Sequence, residues 1–195
     1  MPRTATLTAR RPFFAELLQR SDARVGVQVA GIVGFAVLAA LGAEARIWLW
    51  EVPITLQTVA VYGAGLVLGG RNGLLAMALY LAAGLMLPVF AGDAYGLGYL
   101  TTSASAGYLL AYPLVALLVG RLTDDKRGFW TSALAMTAGA VLLFTVGVIW
   151  LHVAAAHATW AESIVKGALL FIGWDLAKVW LVAGGYAGLR KITGA

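Results

Sequence analysis

Residues 25–43, VGVQVAGIVGFAVLAALGA, form a predominantly apolar run without a charged side chain. A helix that crosses a bilayer needs about 20 such residues, within a range of about 17–25. In the 195-residue chain as a whole, apolar residues make up 61% and charged residues 12%, against roughly 45–50% and 25% in soluble domains. Because so few charges cannot cover a soluble surface, the sequence predicts an integral membrane protein.

Further apolar runs follow this one, separated by segments that carry charged or turn-forming residues. They occupy residues 55–70, 74–90, 107–120, 129–152 and 163–189. The runs at 55–70 and 107–120 are shorter than a usual span, so we expect those helices to be tilted or partly buried. The pattern predicts a compact all-α bundle of six transmembrane helices over residues 25–189.

Six spans place both termini on one side of the membrane, and the distribution of Lys and Arg indicates which side it is. Arg46 and Lys166 lie on one side and Lys178 lies within a span, which leaves eleven of the fourteen basic residues for the other side. These eleven are Arg3, Arg10, Arg11, Arg20, Arg24, Arg71, Arg121, Lys126, Arg127, Arg190 and Lys191. We therefore predict that residues 1–24 and the tail 190–195 are both cytoplasmic.

Two structures fit residues 1–24. One is a short interfacial helix with Phe13, Phe14, Leu17 and Leu18 on one face, and the other is a disordered tail. Although the pI is about 9.7, the basic residues occur in short clusters between apolar runs. We therefore expect contact with a lipid bilayer and not with nucleic acid, and a multi-pass protein of the inner or plasma membrane.

The chain lacks the residues of several common catalytic sites. It has no cysteine, which rules out disulfides and zinc–thiolate sites. None of its four lysines is followed by Ser or Thr, so the phosphate-binding lysine of a P-loop is missing. His152 and His157 are five residues apart, which is not a same-face helical spacing. We expect no metal site, no cofactor and no enzymatic activity, in particular no ATP hydrolysis by a P-loop.

Asp175 and Lys178 interrupt the middle of the last apolar run. An ionisable residue at a helix centre costs about 2.5–3.5 kcal/mol on insertion scales, so two in one helix require a reason. Since they are three residues apart, they share a face and can pair. The pair either neutralises itself and fixes the helix in the bundle, or lines a polar pocket for a ligand with both donors and acceptors. Phe171 lies on the same face and would supply an aromatic wall.

Further polar residues lie near the outer ends of the spans. Thr55, Thr58 and Tyr62 share one face of the predicted second helix, whereas Gln57 lies off that face. Each hydroxyl alone is typical of a structural role. A buried glutamine is harder to accommodate, so Gln57 fits a structural and a binding role equally well. Tyr80 lies in the predicted third helix.

Residues 91–106 connect the predicted third and fourth helices and contain no Lys or Arg. They include Gly92, Gly96 and Gly98, and glycine exposes backbone N–H groups that can bind anions. The segment is either a plain connection or the lid of a binding site.

Four short segments resemble motifs of the BioY family, the biotin-binding S components of energy-coupling-factor (ECF) transporters. Residues 52–58, VPITLQT, resemble its VPxTLQ segment, and residues 87–92 resemble its LPVFAG segment. Residues 105–108, SAGY, are similar to its Ser/Thr-Ala/Gly-Gly-Tyr segment, and residues 175–178, DLAK, to its Asp-x-x-Lys motif. Each piece alone is weak, but the four together occur in the family's order and spacing.

The resemblance implies a six-helix fold with cytoplasmic ends and a site for biotin, which is bound without being chemically changed. Asp175 would accept from the urea N–H groups, Lys178 would donate to the urea carbonyl, and Phe171, Tyr80 or Phe90 would cover the thiophane ring. Backbone N–H groups of residues 92–98, with Ser or Tyr hydroxyls, would hold the carboxylate. The other implied site residues are Thr55, Gln57, Gly92, Tyr95, Gly96 and Ser105.

The resemblance also implies partners, namely a transmembrane coupling subunit and two ATPase subunits of an ECF module. The first helix carries Gly26, Ala30 and Gly34 at steps of four, similar to the small-residue motif that the family uses for the coupling subunit. Packing within the bundle is the alternative role for these residues. An S component for another vitamin, a membrane enzyme and a structural subunit without a ligand are the alternative functions.

Overall fold

The computed structural model describes residues 25–124 and 127–193. In chain order these form α1 (Val25–Glu44), the strands β1 (Arg46–Trp48) and β2 (Pro53–Thr55), a helical segment (Gln57–Gly84) whose parts 57–68 and 70–84 are α2 and α3, then α4 (Gly96–Thr102), α5 (Ala106–Leu122), α6 (Phe129–Ala154), α7 (Trp160–Ile164), a π-helical turn (Val165–Leu169) and α8 (Leu170–Thr193). The predictions made for residues 1–24, and for the last two residues, lie outside this range.

The helical segment from Gln57 to Gly84 reverses direction at Gly69, whose backbone is non-helical with φ 78° and ψ 171°. The Gln57 side chain reaches the Tyr80 hydroxyl at 2.5 Å, whereas a straight helix would separate these two residues by about 35 Å. A positive φ favours glycine because it has no Cβ. α2 and α3 are therefore the two arms of a tight helical hairpin.

The hairpin explains why the bundle has six helices although only four or five helical segments qualify as membrane spans by length and composition. By length and composition, Val25–Glu44, Gln57–Gly84, Phe129–Ala154 and Trp160–Ile192 can each cross a membrane, and α4 with α5, bent by 93°, makes a fifth. Since one of these segments folds back on itself, the described residues contain six bundle helices: α1, α2, α3, α5, α6 and the final helix formed by α7, the π-helical turn and α8. The predicted number of helices is confirmed, while the side on which the termini lie stays a prediction.

Several predicted boundaries were wrong. Thr55 belongs to β2 and not to the second helix, so it does not share a helical face with Thr58 and Tyr62. The third helix ends at Gly84 instead of residue 90. The segment 91–106 is not a plain loop, because it contains α4.

Glycines let α2, α3 and α5 approach one another closely at the Gly69 end of the hairpin. A Cβ on Gly65 would lie 2.5 Å from the carbonyl oxygen of Ala116, and a Cβ on Gly120 would collide with the backbone of Gly69 and Gly70. Small residues at helix contacts are what permits such an approach between membrane helices. α2 and α3 are about 18 and 22 Å long by the helical rise. α2 is buried along nearly its whole length, whereas α3 has an exposed face that includes Leu75 and Leu79.

Two short connections cover the opposite end of this helical core. β1 and β2 pair antiparallel, with Ile47 opposite Ile54. This β-hairpin contacts the connection between α3 and α4 through Arg46, whose guanidinium lies 3.6 Å from Asp93. A Cβ on Gly92 would lie 3.3 Å from the Trp48 ring. The two connections together form a roof over the bundle.

Replacing Gly120 with Ala tests the close approach of α5 to the α2–α3 turn. The added methyl would meet backbone atoms that cannot rotate away, and overpacking of this kind costs about 1–3 kcal/mol. We expect a lower melting temperature of the purified protein in detergent. Gly184→Ala is the matched control, because a Cβ there meets nothing within 4 Å; equal melting temperatures for the two variants would contradict the packing described.

Candidate ligand-binding site

A cavity lies beneath the roof, between β2, α2, α5, α6 and α8. The space between its lining atoms is about 610 Å³, a figure that includes space open to solvent. Its lining comprises Val52, Pro53, Ile54, Thr55, Gln57, Thr58, Ala91, Tyr99, Ser105, Tyr108, Leu109, Tyr112, Leu143, Phe144, Phe171, Trp174, Asp175 and Lys178. Most of the wall is apolar or aromatic, with a few polar groups that converge on the interior.

Asp175 is the carboxylate of this wall, and its exposure is only 3%. The Tyr62 hydroxyl of α2 donates to its Oδ2 at 2.5 Å, and the Lys178 ammonium lies 3.8 Å from its Oδ1. A buried charge is tolerated when it is paired and hydrogen-bonded. Oδ2 therefore has a close fixed donor, whereas Oδ1 has only the more distant ammonium and can accept a further hydrogen bond.

Lys178 is held on the other side by α2. Its Nζ donates to the Thr58 hydroxyl at 3.1 Å, and its side chain is 12% exposed. An ammonium has three donor hydrogens, of which Thr58 engages one, while Asp175 at 3.8 Å is an ion-pair partner beyond hydrogen-bond distance. The ammonium can therefore donate to an acceptor in the cavity, so the pair presents one acceptor and one donor side by side.

Gln57, at the start of α2, is oriented by several neighbours. Its Oε1 accepts from the Thr55 hydroxyl at 2.9 Å and from the Tyr112 hydroxyl at 3.4 Å. Its Nε2 donates to the Tyr80 hydroxyl, which in turn donates to the Val89 carbonyl at 3.1 Å. An amide NH2 has two donor hydrogens, so one remains for a ligand.

The structure brings six of the eleven sequence-predicted site residues to the cavity wall: Thr55, Gln57, Ser105, Phe171, Asp175 and Lys178. Tyr80 and Phe90 lie behind the wall. The Phe90 ring stacks on Tyr99 with centroids 5.5 Å apart and meets Tyr80 edge-on at 5.6 Å. These two residues support the wall and do not form it, because the rings of Tyr99 and Tyr112 stand in front of them.

Gly92, Tyr95 and Gly96 do not line the cavity. The chain turns at residues 92–93, where Phe90 and Ala94 pair across a short bridge, and the turn leads the backbone away from the interior. Tyr95 is 60% exposed as a result. In this segment Ala91 and then Tyr99 reach the wall, so the predicted glycine-rich carboxylate site does not face this cavity.

Sequence reasoning missed much of the aromatic wall. Tyr108 and Tyr112 are four residues apart, which places both on one face of α5, and this spacing could have revealed them. Tyr99 could not be found in the same way, since α4 was not predicted. Leu143 and Phe144 of α6 carried no signal, because their run is apolar throughout.

The BioY family profile matches residues 18–195 of this chain. The chain belongs to the BioY family. Among the relatives of this BioY-family chain is the "Biotin transporter BioY" of Thermotoga maritima, 35% identical over 155 residues, which are 79% of this chain and 89% of the relative. The "Probable biotin transporter BioY" of Pyrococcus horikoshii is 31% identical over 152 residues, 77% and 88% of the two chains.

The fold of this BioY-family chain matches a solved structure. A crystal structure of the S-component for biotin from an ECF-type ABC transporter superposes with a TM-score of 0.76. The match covers 86% of this chain and 94% of the other, at 23% sequence identity. The two proteins therefore share the six-helix membrane fold.

A double substitution tests whether Asp175 and Lys178 stabilise each other. Breaking a buried pair by removing one partner costs up to about 3–5 kcal/mol, whereas removing both charges together is often close to neutral. We expect Asp175→Asn and Lys178→Met each to lower the melting temperature in detergent without ligand, and the double variant to recover part of the loss. Asn retains an oxygen that accepts from Tyr62. Strictly additive losses would contradict a mutually stabilising pair.

Proposed function

We propose that this chain is the biotin-binding membrane subunit of a transporter that takes up biotin, with ATP hydrolysis supplied by partner subunits. The observation that carries the proposal is the buried Asp175–Lys178 pair at the wall of the cavity. Membership of the BioY family supports it independently. The protein binds and releases its ligand and performs no chemical reaction on it.

The head group of biotin is a cyclic urea with two N–H donors and one carbonyl acceptor. Asp175 Oδ1 accepts from a urea N–H, and Lys178 donates to the urea oxygen. Hydrogen bonds with one charged partner are roughly twice as strong as neutral ones. Tyr62 keeps Oδ2 occupied, so the carboxylate presents its other oxygen to the ligand.

The bicyclic body of biotin is apolar and packs against the aromatic wall. Phe171 and Trp174 lie on the same helix as the charged pair, and Tyr112 faces them from α5. The carboxylate tail then extends toward Ser105 and Tyr108. Among the lining residues in the described part of the chain, Lys178 is the one with a positive charge, so the proposal assigns the tail to neutral donors.

Equilibrium binding of radiolabelled biotin to the detergent-purified protein tests the function. Asp175→Asn removes the charge and turns an amide N–H toward the urea donors. Losing one charge-assisted hydrogen bond costs about 1.5–3 kcal/mol, or roughly ten- to over a hundredfold in Kd. Asp124→Asn is the control, because this carboxylate lies at the other end of α5, beside Arg127. Wild-type affinity in well-folded Asp175→Asn protein would contradict the head-group assignment.

Competition by analogues tests which end of the ligand matters most. Desthiobiotin retains the urea and should compete well, and biotin amide should lose only a modest factor because neutral donors hold the tail. An N-methylated urea should fail badly, since it leaves Asp175 and Lys178 buried without partners. A larger loss for the amide than for the urea analogue would reverse the proposed orientation. Competition by thiamin or riboflavin instead would favour another vitamin.

We further propose that α1 contacts the transmembrane coupling subunit, which transmits the work of two ATPase subunits. Gly26, Ala30 and Gly34 are all exposed, and a Cβ on either glycine meets nothing within 4 Å. These residues are thus not used to pack α1 against the described part of the bundle. Cytoplasmic termini belong to the same proposal and rest on the distribution of Lys and Arg.

Gly34→Leu tests this face of α1. A bulky side chain should hold a docking helix away, so we expect unchanged biotin affinity and loss of ATP-dependent uptake in cells that co-express the partners. Gly184→Leu on α8 is the control, because it adds the same side chain at another open position. If uptake and co-purification of the coupling subunit both survive in Gly34→Leu, the docking surface lies elsewhere.

A further inference from the structure

The β-hairpin that roofs the cavity is fastened to the final helix by a cluster of charged side chains. Residues 52–55 of this hairpin supply four of the cavity's lining residues. Glu51 directly precedes them, and its Oε1 lies 3.1 Å from the Lys166 ammonium and 3.6 Å from Nε2 of His157. We name Glu51, His157 and Lys166 the outer clasp.

Lys166 is fixed from several sides. It forms a second ion pair with Glu162 at 2.9 Å and lies 5.6 Å above the Trp50 ring. The pKa of the Glu51 carboxyl is lowered, first by a hydrogen bond from the backbone amide of Glu51 and then by the nearby Lys166 ammonium. The hairpin therefore offers an ionised carboxylate to the final helix.

His157 is the member of the clasp whose imidazole can take up a proton. Its side chain is 4% exposed, and Nε2 is buried without a hydrogen-bond partner among the described residues. The Ser163 hydroxyl lies 3.0 Å from its Nδ1 and 2.9 Å from Nδ1 of His152. A hydroxyl has one proton, and the Thr159 carbonyl at 3.4 Å is a further acceptor for it, so at least one of the two imidazoles donates its Nδ1–H to Ser163.

The charges that face His157 come from every element around it. They are Glu51 of the hairpin, Glu162 of α7, Lys166 of the π-helical turn and the neutral or protonated His152 of α6. With His157 neutral, the two carboxylates and one ammonium leave a net charge of −1. A protonated His157 donates Nδ1–H to Ser163 and directs Nε2–H at Glu51, and it brings the net charge of these groups to zero.

We propose that Glu51 is a positioning residue that fastens the roof over the cavity, and that protonation of His157 tightens this fastening. The proposal rests on the proposed function in taking biotin as the ligand. Since residues 52–55 form one side of the cavity wall, a tighter clasp holds that side against the bound ligand and prolongs its stay. The closed roof is favoured below the pH at which His157 loses its proton and is weakened as the pH rises through that point.

The dissociation rate of radiolabelled biotin from the purified protein, measured between pH 5.5 and 8, tests the clasp. We expect wild-type dissociation to slow toward pH 5.5. Exposed ion pairs contribute little, so Glu51→Gln should raise the rate at pH 5.5 roughly two- to fivefold and abolish the pH dependence. His157→Gln should resemble the wild type at pH 8 and lack the slowing at pH 5.5.

Glu162→Gln is the matched control, since it removes a carboxylate from the same ammonium without touching the hairpin. We expect it to retain the pH dependence. A wild-type rate and pH profile in Glu51→Gln, or the same acceleration in Glu162→Gln, would overturn the proposal.

A reporter without ligand separates failure of the clasp from failure of biotin binding. The chain has no cysteine, so Val52→Cys, at a roof position with 7% exposure, gives a single thiol. Maleimide labelling of this thiol is measured with and without Glu51→Gln at the same pH, and the two rates are divided, so that the pH dependence of the thiol itself drops out. We expect labelling to be faster with Glu51→Gln, most clearly at pH 5.5. A ratio of one at both pH values would overturn the clasp, whether or not biotin binds.

Discussion

The hydrogen bond from Tyr62 to Asp175 is the contact on which the half of the bundle beneath the roof depends. A carboxylate with 3% exposure must have partners, and this one finds its closest partner on α2. One turn away, Lys178 bonds to Thr58 of the same helix. Most other side chains of α8 face outward, as Trp180 and Leu181 do at 50% and 66% exposure. The register of α8 against α2 is therefore fixed in part by these two polar contacts.

The position of the cavity follows from a change in residue size along the helices. At one end, Gly65, Gly70 and Gly120 bring α2, α3 and α5 together until their backbones touch. Toward the roof the same helices carry Gln57, Tyr80 and Tyr112, which hold the backbones apart and bond to one another. The cavity lies at this end, among the large polar and aromatic residues.

The number of helices and the charged pair could be predicted from the sequence, because each depends only on residues that are close together in the chain. Apolar runs indicate helices, and a spacing of three places Asp175 and Lys178 on one face, where the structure has them 3.8 Å apart. The roof was harder to predict, because a strand of three residues such as β2 is too short to show an alternating pattern of apolar and polar residues in the sequence. Thr55 was assigned to a helix for that reason, and α4 was missed. The turn at Gly92 and Asp93, which removes Tyr95 and Gly96 from the wall, is a local one that was missed: both residues have positive φ, and Phe90 pairs with Ala94 across them.

The one-residue reversal at Gly69 also bears on how the chain enters the membrane. Neither arm alone matches the roughly 30 Å of a hydrocarbon core, and no loop separates them at which the translocation machinery could pause. The two arms must then partition into the bilayer together, as one helical hairpin. Arg71 is exposed beside the tip, and a cation at a helix end resists passage across the membrane. This agrees with the proposed cytoplasmic location of the termini, which would place the tip on the cytoplasmic side as well.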